Sequence, residues 1–573
     1  MAEVTTGTAS GAGGRRSFLR TLAGAASNRP HLALIVLCLF VYLPGFVSMP
    51  PLDRDESRFA QASRQMLERN DFVNIRFQDG PRNKKPAGIH WLQAASAAAA
   101  GGPEQAGIWA YRLPSVIGAI LAVLAIFHLG RLLFGARAGL LGAALMGVTG
   151  ALIAEANISK TDAVLLATVV SAQFAIARFY LHARGRIETP PGIKTVLLFW
   201  IALGAGILIK GPIMPMVIGL TILALSIADR DWSWLKGMRP LLGVPVAAAI
   251  VLPWGLAILF ETQGQFYRES VGVDLIPKIL GGVESHGFPP GFYLALVSLT
   301  FWPASLFLWP AARALWRNRL DPAFRFLLAW IVPSWAVFEI VPTKLPHYVM
   351  PTYPALAVAV AAVVLGLAPG GFDRLSKWLL RGSAAIWALV GLIAAAAVAL
   401  APRWLGPGIS PLEAGLGALG AVLVMAGLYW AWTLRMERAV AAALAAAVIL
   451  YGTALQLSGP RLDKLFLSPR LAEAVERQEG GGDLPVISTG YAEPSLVFLL
   501  GTDTKLAPPR EVPAFLKAHP DAVLILSDGL KERVLDSVEQ AGMSLEAVDK
   551  VDGVDRVLTL YRRTDRTAAD RSR

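Results

Sequence analysis

Charge is scarce in this chain. Only 16% of its 573 residues are Asp, Glu, Lys or Arg, while 55% are hydrophobic. A soluble protein of this size carries nearer a quarter charged residues, so a soluble enzyme or binding module is a poor fit. Cysteine is scarcer still. The one residue, Cys38, lies inside the first apolar run, which excludes an intrachain disulfide and leaves the redox compartment unmarked. No internal repeat is present, so a solenoid is excluded as well.

What the chain does have is long apolar runs, and its mean hydropathy is +0.52. Runs of about 20 residues, each enough to cross a ~30 Å hydrocarbon core, recur along it. Thirteen spans are read, centred near residues 40, 118, 147, 171, 202, 219, 250, 299, 332, 357, 391, 423 and 447. The net charge of +12 would suit nucleic acid, but the basic residues sit in short loops between apolar runs. Cytoplasmic flanks and anionic headgroups account for them there, and no nucleic-acid partner is expected.

Lys and Arg cluster in alternate loops. One set begins with Arg15, Arg16, Arg20 and Arg29 and continues through Arg131, Arg184, Arg230, Arg313, Arg374 and Arg435 with their neighbours. Apart from the long first loop, the other set holds only Lys160, Lys210, Arg268, Lys278, Lys344 and Arg403. The richer set is therefore read as cytoplasmic. Residues 1–30 form a cytoplasmic tail, 31–457 the membrane region, and an odd number of spans places 458–573 outside. "GRRSFLR" near Arg15 resembles a twin-arginine export signal, but Asn28-Arg29-Pro30 breaks the apolar stretch after it and no A-x-A-like site follows. A basic tail before an uncleaved span is the expected reading.

From about Leu457 the pattern changes. Short β-type runs ("LPVIST", "DAVLILSD", "DRVLTLYRR") alternate with helical ones ("EPSLVFLL", "EVPAFLKAH", "GLKERVLDSVEQ"), which predicts a small α/β domain. It carries no phosphate-binding glycine loop and no metal-ligand spacing.

With this topology the costly residues fall on the outer side. The first outer loop, 50–87, holds "LDRDESRF" and then "FQDGPRNKKPAGIHWL"; the next turns are "EANISKTD" and "LIKGP". The fourth loop runs from Glu261 to Gly291, and the fifth is "VPTKLPHY". Ionisable groups at span ends are costly unless paired or lining a wet cavity, so they point to a site. A single lysine there can instead snorkel to the headgroups. Lys85, Lys210 and Lys344 on one face, beside Asp55 and Asp162, favour a site. Lysines and an arginine at the bilayer surface suit a phosphate, and a nearby carboxylate supplies a general base. Within "LDRDESRF", Asp53 is expected to cap a helix, with Glu56 completing a capping box. Asp55 and Arg58 lie three apart on one helical face.

In order, Asp55-Glu56-Ser57-Arg58-Phe59…Met66-Leu67, Lys85-Pro86, Trp91, Thr161-Asp162, Lys210-Gly211 and "KLPHYVMPTYP" (Lys344 to Pro354) resemble the motifs of the protein O-mannosyltransferase/ArnT (lipid A aminoarabinose transferase) family. The resemblance spans the membrane region. It implies a GT-C fold of about thirteen transmembrane helices with a small extracytoplasmic α/β domain. It also implies an inverting glycosyltransferase that takes sugar from an undecaprenyl-phosphate-type donor, in the inner membrane of a bacterium. The acceptor would be lipid A or another envelope glycan or protein, met at the periplasmic face. By match, Asp55 is the catalytic carboxylate, and Arg58, Lys85 and Lys210 hold the donor phosphate. Asp162 would orient the site. Glu56, Lys278, Glu284, His286 and Lys344 are substrate-binding candidates, and His347 and Tyr348 would gate the lipid entrance. Where the family has Glu before Lys-Pro, this chain has Lys84, which weakens the case for a metal contact there; no cofactor is indicated, and a divalent metal stays open. The added positive charge suits an acidic sugar. A protein O-mannosyltransferase is the alternative within this class. A flippase of lipid-linked sugars, the alternative from another class, would place its ionisable residues near span midpoints on both sides.

Overall fold

A computed structural model describes residues 28–281, 287–481 and 484–564. It is a polytopic helical membrane protein with a sheet-containing unit at its C-terminal end. Eight helices are long and apolar enough to cross a membrane: Ile108–Phe134, Asp162–Ala183, Ile193–Lys210, Pro240–Glu261, Pro322–Ile340, Arg374–Leu405, Pro411–Trp432 and Met436–Arg461. Two more segments are bent, Ala136–Gly147 with Gly150–Ala156 by 63° and Phe292–Thr300 with Ala304–Arg317 by 117°. The apolar helices Pro30–Tyr42, Ile213–Asp229 and Met350–Val364 are shorter. Together these segments stand at the thirteen predicted positions.

Small residues let the spans close on one another, as they do where lipid supplies no hydrophobic drive. At Gly118, an added Cβ would sit 2.8 Å from the Val164 Cα of the neighbouring span. Gly88 performs the same task near the outer surface. A Cβ there would lie 2.6 Å from the Leu208 carbonyl oxygen, so the short helix Gly88–Ala99 meets the end of Ile193–Lys210 backbone to backbone. That contact sets Lys85 and Lys210 on the wall of one cavity.

The first outer loop carries an amphipathic helix, Asp55–Arg69, whose inward face buries Phe59, Ala62 and Met66. Its start is not the expected capping box. Arg54 is the N-cap residue, with φ 61°, a conformation costly for a residue with a Cβ. Asp53 bonds instead to the Ser495 hydroxyl, and Glu56 accepts from the Leu52 amide at 2.8 Å.

The C-terminal unit holds five strands in the order Lys505–Leu506, Val486–Thr489, Val523–Ser527, Val557–Arg563, Leu545–Asp552. The first three are parallel and the last two join antiparallel as a hairpin. Alternate residues face opposite layers: Val523 and Ile525 pack with Leu471 and Leu496, while Leu524 and Leu526 pack with Leu516 and Val534. Three elements escaped the sequence reading, the helix Leu467–Glu476, the two-residue strand Lys505–Leu506 and the strand Leu545–Asp552. The longer strand's polar, mostly exposed pattern hides it.

This unit rests on the Asp55–Arg69 helix. Phe498, from the helix Pro494–Leu500, packs with Ala60, Ile108 and Tyr111. Gln61 donates to the Thr502 hydroxyl at 2.7 Å, that hydroxyl donates to Glu68 at 2.8 Å, and Arg64 donates to the Phe498 carbonyl at 3.0 Å.

Candidate active site

A cavity of about 770 Å³ opens where the first outer loop, the Asn157–Thr161 turn, the end of Ile193–Lys210, the 265–280 segment and the 343–348 loop converge. Eight of the residues singled out from the sequence line it: Asp55, Arg58, Lys85, Asp162, Lys210, Lys278, His347 and Tyr348. Glu284 and His286 lie outside the described residues. Glu56 and Lys344 are elsewhere.

Glu56 is 1% exposed and points away from the cavity into a buried pair with Arg112, at 2.7 and 2.8 Å. It also accepts from the Ser159 amide at 3.0 Å. Arg112 spends its remaining donors on the carbonyls of Phe46, Met49 and Pro50. A buried carboxylate needs such partners, and here they tie the helix start to two distant segments. Lys344, also 1% exposed, donates to the Phe288 and Val341 carbonyls, both at 2.7 Å, and so closes the fifth outer loop onto the fourth. Both side chains are consumed in holding the walls.

A buried polar thread fixes the Asp55–Arg69 helix laterally. The Ser63 hydroxyl meets His90 Nδ1 at 2.8 Å and donates to Gln93 at 2.7 Å, and Gln93 reaches Ser159 at 3.4 Å. Lys160 and Asp162 follow directly.

Inside the cavity the charges fall into three groups. In the first, Asp162 opens its span and accepts from Lys210 Nζ at 2.5 Å. Lys160 stands between Glu155, at 3.1 Å, and Asp162, at 4.0 Å. The His347 ring fits between them, with Nδ1 3.4 Å from Glu155 and Nε2 3.4 Å from Lys160. Burial, and then the Lys160 charge, hold the His347 imidazole well below its usual range, so it is neutral here. In the second group, Asp274 joins Lys85 at 3.3 Å and Lys278 at 2.6 Å. Burial brings the Lys85 ammonium down to about 8; Lys278 and Lys210 add to the fall and Asp274 opposes it. Nearby, Asn83 donates to Glu269 at 3.0 Å.

The third group is different. The side chains of Asp55, Arg58 and Arg82 line the cavity with no hydrogen bond or ion pair among the described residues. Asp55 is exposed to the cavity space. Arg82 lies over the Phe59 ring, 4.3 Å from its centroid.

Four charged side chains at or beside this cavity were not among the site candidates taken from the sequence. Asp274 had a signal, its i,i+4 spacing to Lys278. Glu155 and Lys160 stood in a quoted turn, with nothing local to show that they pair. Arg82 had none, because its burial follows from tertiary contacts with Phe59. Among the described residues, no group of three or more His, Cys, Asp or Glu is arranged to hold a metal ion.

A second cavity, of about 340 Å³, adjoins the first. Its walls are apolar, including Leu208, Pro215, Val251, Trp254 and Tyr267, and the two spaces share Lys85, Lys210 and Asp274. Charge at one end and a greasy slot between two spans at the other suit an amphipathic ligand whose head is an anion.

The family model of dolichyl-phosphate-mannose-protein mannosyltransferases matches residues 84–256. The undecaprenyl phosphate-alpha-4-amino-4-deoxy-L-arabinose arabinosyl transferase of Edwardsiella ictaluri is 29% identical over 442 residues, covering 74% of this chain and 75% of that protein. The transferase of the same name from Pseudomonas paraeruginosa is 30% identical over 53% of this chain and 54% of its own length. Among solved structures, ArnT from Cupriavidus metallidurans bound to undecaprenyl phosphate superposes with a TM-score of 0.71, at 17% identity, over 92% of this chain and 97% of that one. At that identity the superposition speaks for the fold.

Proposed function

We propose that the chain is a GT-C glycosyltransferase of the ArnT type that transfers a sugar from a polyprenyl-phosphate donor to lipid A or another acceptor of the bacterial envelope. One observation carries the reading: Asp55, a carboxylate with no ion pair among the described residues, shares a cavity with Arg58, Lys85 and Lys210 that continues into an apolar slot between spans.

In this reading the first isoprene units of the donor occupy the slot beside Leu208 and Trp254. The phosphodiester sits where slot and cavity meet, within reach of Lys85 and Lys210, with Arg58 beyond it. The sugar projects toward Asp55. An acceptor oxygen attacks the anomeric carbon on the face opposite the phosphate, the bond from that carbon to the phosphate oxygen breaks, and polyprenyl phosphate leaves with one more negative charge. Lys85 and Lys210 stabilise that developing charge in a partly desolvated site. Where the acceptor is a hydroxyl, Asp55 accepts its proton. Where it is a lipid A phosphate, already anionic, Asp55 positions the sugar. Asp162 acts through Lys210, which it holds at 2.5 Å. His347 and Tyr348 form the wall beside Lys210, whose ammonium lies 5.3 Å from the Tyr348 ring centroid. The cavity faces the periplasm, the N-terminal tail lies in the cytoplasm, and the α/β unit is periplasmic.

The test is Asp55→Asn in the purified full chain, supplied with polyprenyl-phosphate sugars. Transfer is expected to fall by roughly 10²–10⁴-fold, the range of a lost general base. Unchanged transfer would remove Asp55 from the chemistry. Mass spectrometry of envelope lipids and proteins from a deletion strain identifies the acceptor. Loss of sugar from proteins alone would favour the second reading, a protein O-mannosyltransferase, toward which the family model over 84–256 points.

A further inference from the structure

Resting on the transferase reading, we propose that Arg82, with Arg58, forms a second anion subsite beside Asp55, separate from the lysines that hold the donor phosphate, and that it takes an oxyanion carried by the sugar or the acceptor. The sugar form is a carboxylate, as in a hexuronic acid; the acceptor form is a phosphate.

Arg82 is the observation that points to a ligand. Its side chain is only 9% exposed, yet it forms no ion pair among the described residues, and its buried Nη1 has no hydrogen-bond partner. A buried, unpaired guanidinium is costly, because the charge loses water and gains no counter-ion. Other cavity cations have such partners: Lys210 has Asp162, Lys160 has Glu155, and Lys85 and Lys278 share Asp274. Asp55 and Arg58 are the groups whose charges Arg82 feels most, and neither pairs with it. Burial draws the guanidinium down to about 10, which still leaves it charged at neutral pH.

The wall charge agrees. Cationic side chains outnumber carboxylates seven to four around the cavity, and a sugar–phosphate–polyprenol diester brings one negative charge. With Glu155, which pairs with Lys160 from behind the wall, the balance after donor binding is one net positive charge, so an amino sugar would worsen it and an acidic group would improve it. Arginine also has the right shape, since its planar fork grips a carboxylate or phosphate by two parallel bonds. The Phe59 ring, 4.3 Å from the guanidinium carbon, backs the group where it meets the cavity wall.

The test compares the full chain with Arg82→Gln and Arg82→Lys, reconstituted in nanodiscs. Donors are polyprenyl phosphates carrying a hexuronic acid or the matching neutral hexose; acceptors are lipid A with and without its phosphates. The expected result is a tenfold to hundredfold fall, in Arg82→Gln, of the preference for the anionic over the neutral partner, expressed as the ratio of kcat/KM values. Arg82→Lys, which keeps the charge and loses the fork, recovers part of it. A fall confined to the donor pair places the anion on the sugar, and one confined to the acceptor pair places it on the acceptor. A purely structural Arg82 would lower both rates together, so an unchanged ratio overturns the subsite and leaves the transferase reading standing. Should no donor be transferred even by the unaltered chain, that reading fails, and the subsite is judged on thermal stabilisation by glucuronate and inorganic phosphate. Stabilisation of the unaltered chain but not of Arg82→Gln supports it; equal stabilisation overturns it.

Discussion

Replacing Glu56 with Gln tests whether the most charged stretch of the chain is divided between structure and chemistry as the geometry indicates. Glu56 and Arg112 are each 1% exposed, and the carboxylate collects four donors: Leu52 N, Ser159 N and two guanidinium nitrogens. Breaking one partner of such a buried pair costs about 3–5 kcal/mol, because the other is left charged and uncompensated. Gln keeps the shape and one acceptor, and Arg112 keeps three carbonyls, so Glu56→Gln should fall at the lower end, about 3 kcal/mol. Arg112→Met strands the carboxylate with only two amides and should approach 5 kcal/mol. The double variant removes both charges, so its loss should be less than the sum of the two by about 2–3 kcal/mol. Against a total stability of about 5–15 kcal/mol, these losses are readable as shifts in denaturant midpoint in detergent, followed by tryptophan fluorescence. At a temperature where the variant stays folded, its donor KM should match that of the unaltered chain. Stability within about 0.5 kcal/mol for Glu56→Gln, or additive losses in the double variant, would refute the structural assignment. So would a stable Glu56→Gln protein that no longer binds donor.

Lys85 sets a pH dependence. Its folded-state value of about 8 lies below the ordinary 10.5, so the ammonium is present below 8 and lost above it; kcat/KM for the donor should decline as pH rises through 8. Lys85→Arg should move that decline out of range, and an unmoved decline would assign it to another group. Because the folded state binds fewer protons than the unfolded one between those two values, stability without donor should rise over the same window, opposite to donor affinity. Lys344→Met should cost about 1–3 kcal/mol by leaving the Phe288 and Val341 carbonyls unsatisfied, with donor KM unchanged in the folded fraction; a selective rise in KM would return Lys344 to the binding site. Thr502→Val removes a hydrogen bond to Gln61 and one to Glu68, and should raise hydrogen exchange along the Asp55–Arg69 helix. Unaltered exchange there would mean that the C-terminal unit does not steady that helix.

How far these features could be read from the residues follows a physical divide. The spans were legible because bilayer thickness imposes a length and a composition on every one of them, and thirteen apolar segments stand where hydropathy placed them. The cavity was legible because ionisable residues at span ends are expensive, and Asp55, Lys85, Asp162 and Lys210 line one wall. What the chain order does not carry is pairing at a distance. Arg112 is an arginine inside a predicted span, and its cost demanded a partner, but nothing local identified Glu56, 56 residues away. Asp53 looked like a cap because capping is a local device; its partner, Ser495, lies 442 residues on. The same blindness works in reverse for Arg82, which reads as one more loop cation until its burial and missing partner are seen.

Pairing, more than residue type or motif position, therefore separates the roles on this face. A charged group with every donor or acceptor met inside the protein has no capacity left for a ligand, as with Glu56 and Arg112. A group held by one partner, such as Lys210 by Asp162, keeps donors free and a fixed direction, which is what gripping a phosphate requires. Arg82, buried and with no ion pair among the described residues, carries a desolvation cost that a bound molecule can offset, and it shares the cavity wall with Asp55 and Arg58, which have no ion pair among those residues either. The surrounding structure has to hold them there against that cost. The strained Arg54 turn, the Glu56–Arg112 pair, the Ser63–His90–Gln93 thread and the docked Pro494–Leu500 helix converge on the one helix that carries Asp55 and Arg58. A helix on a membrane surface with a charged first turn has little reason to be anchored at four points unless the position of that turn matters to the chemistry.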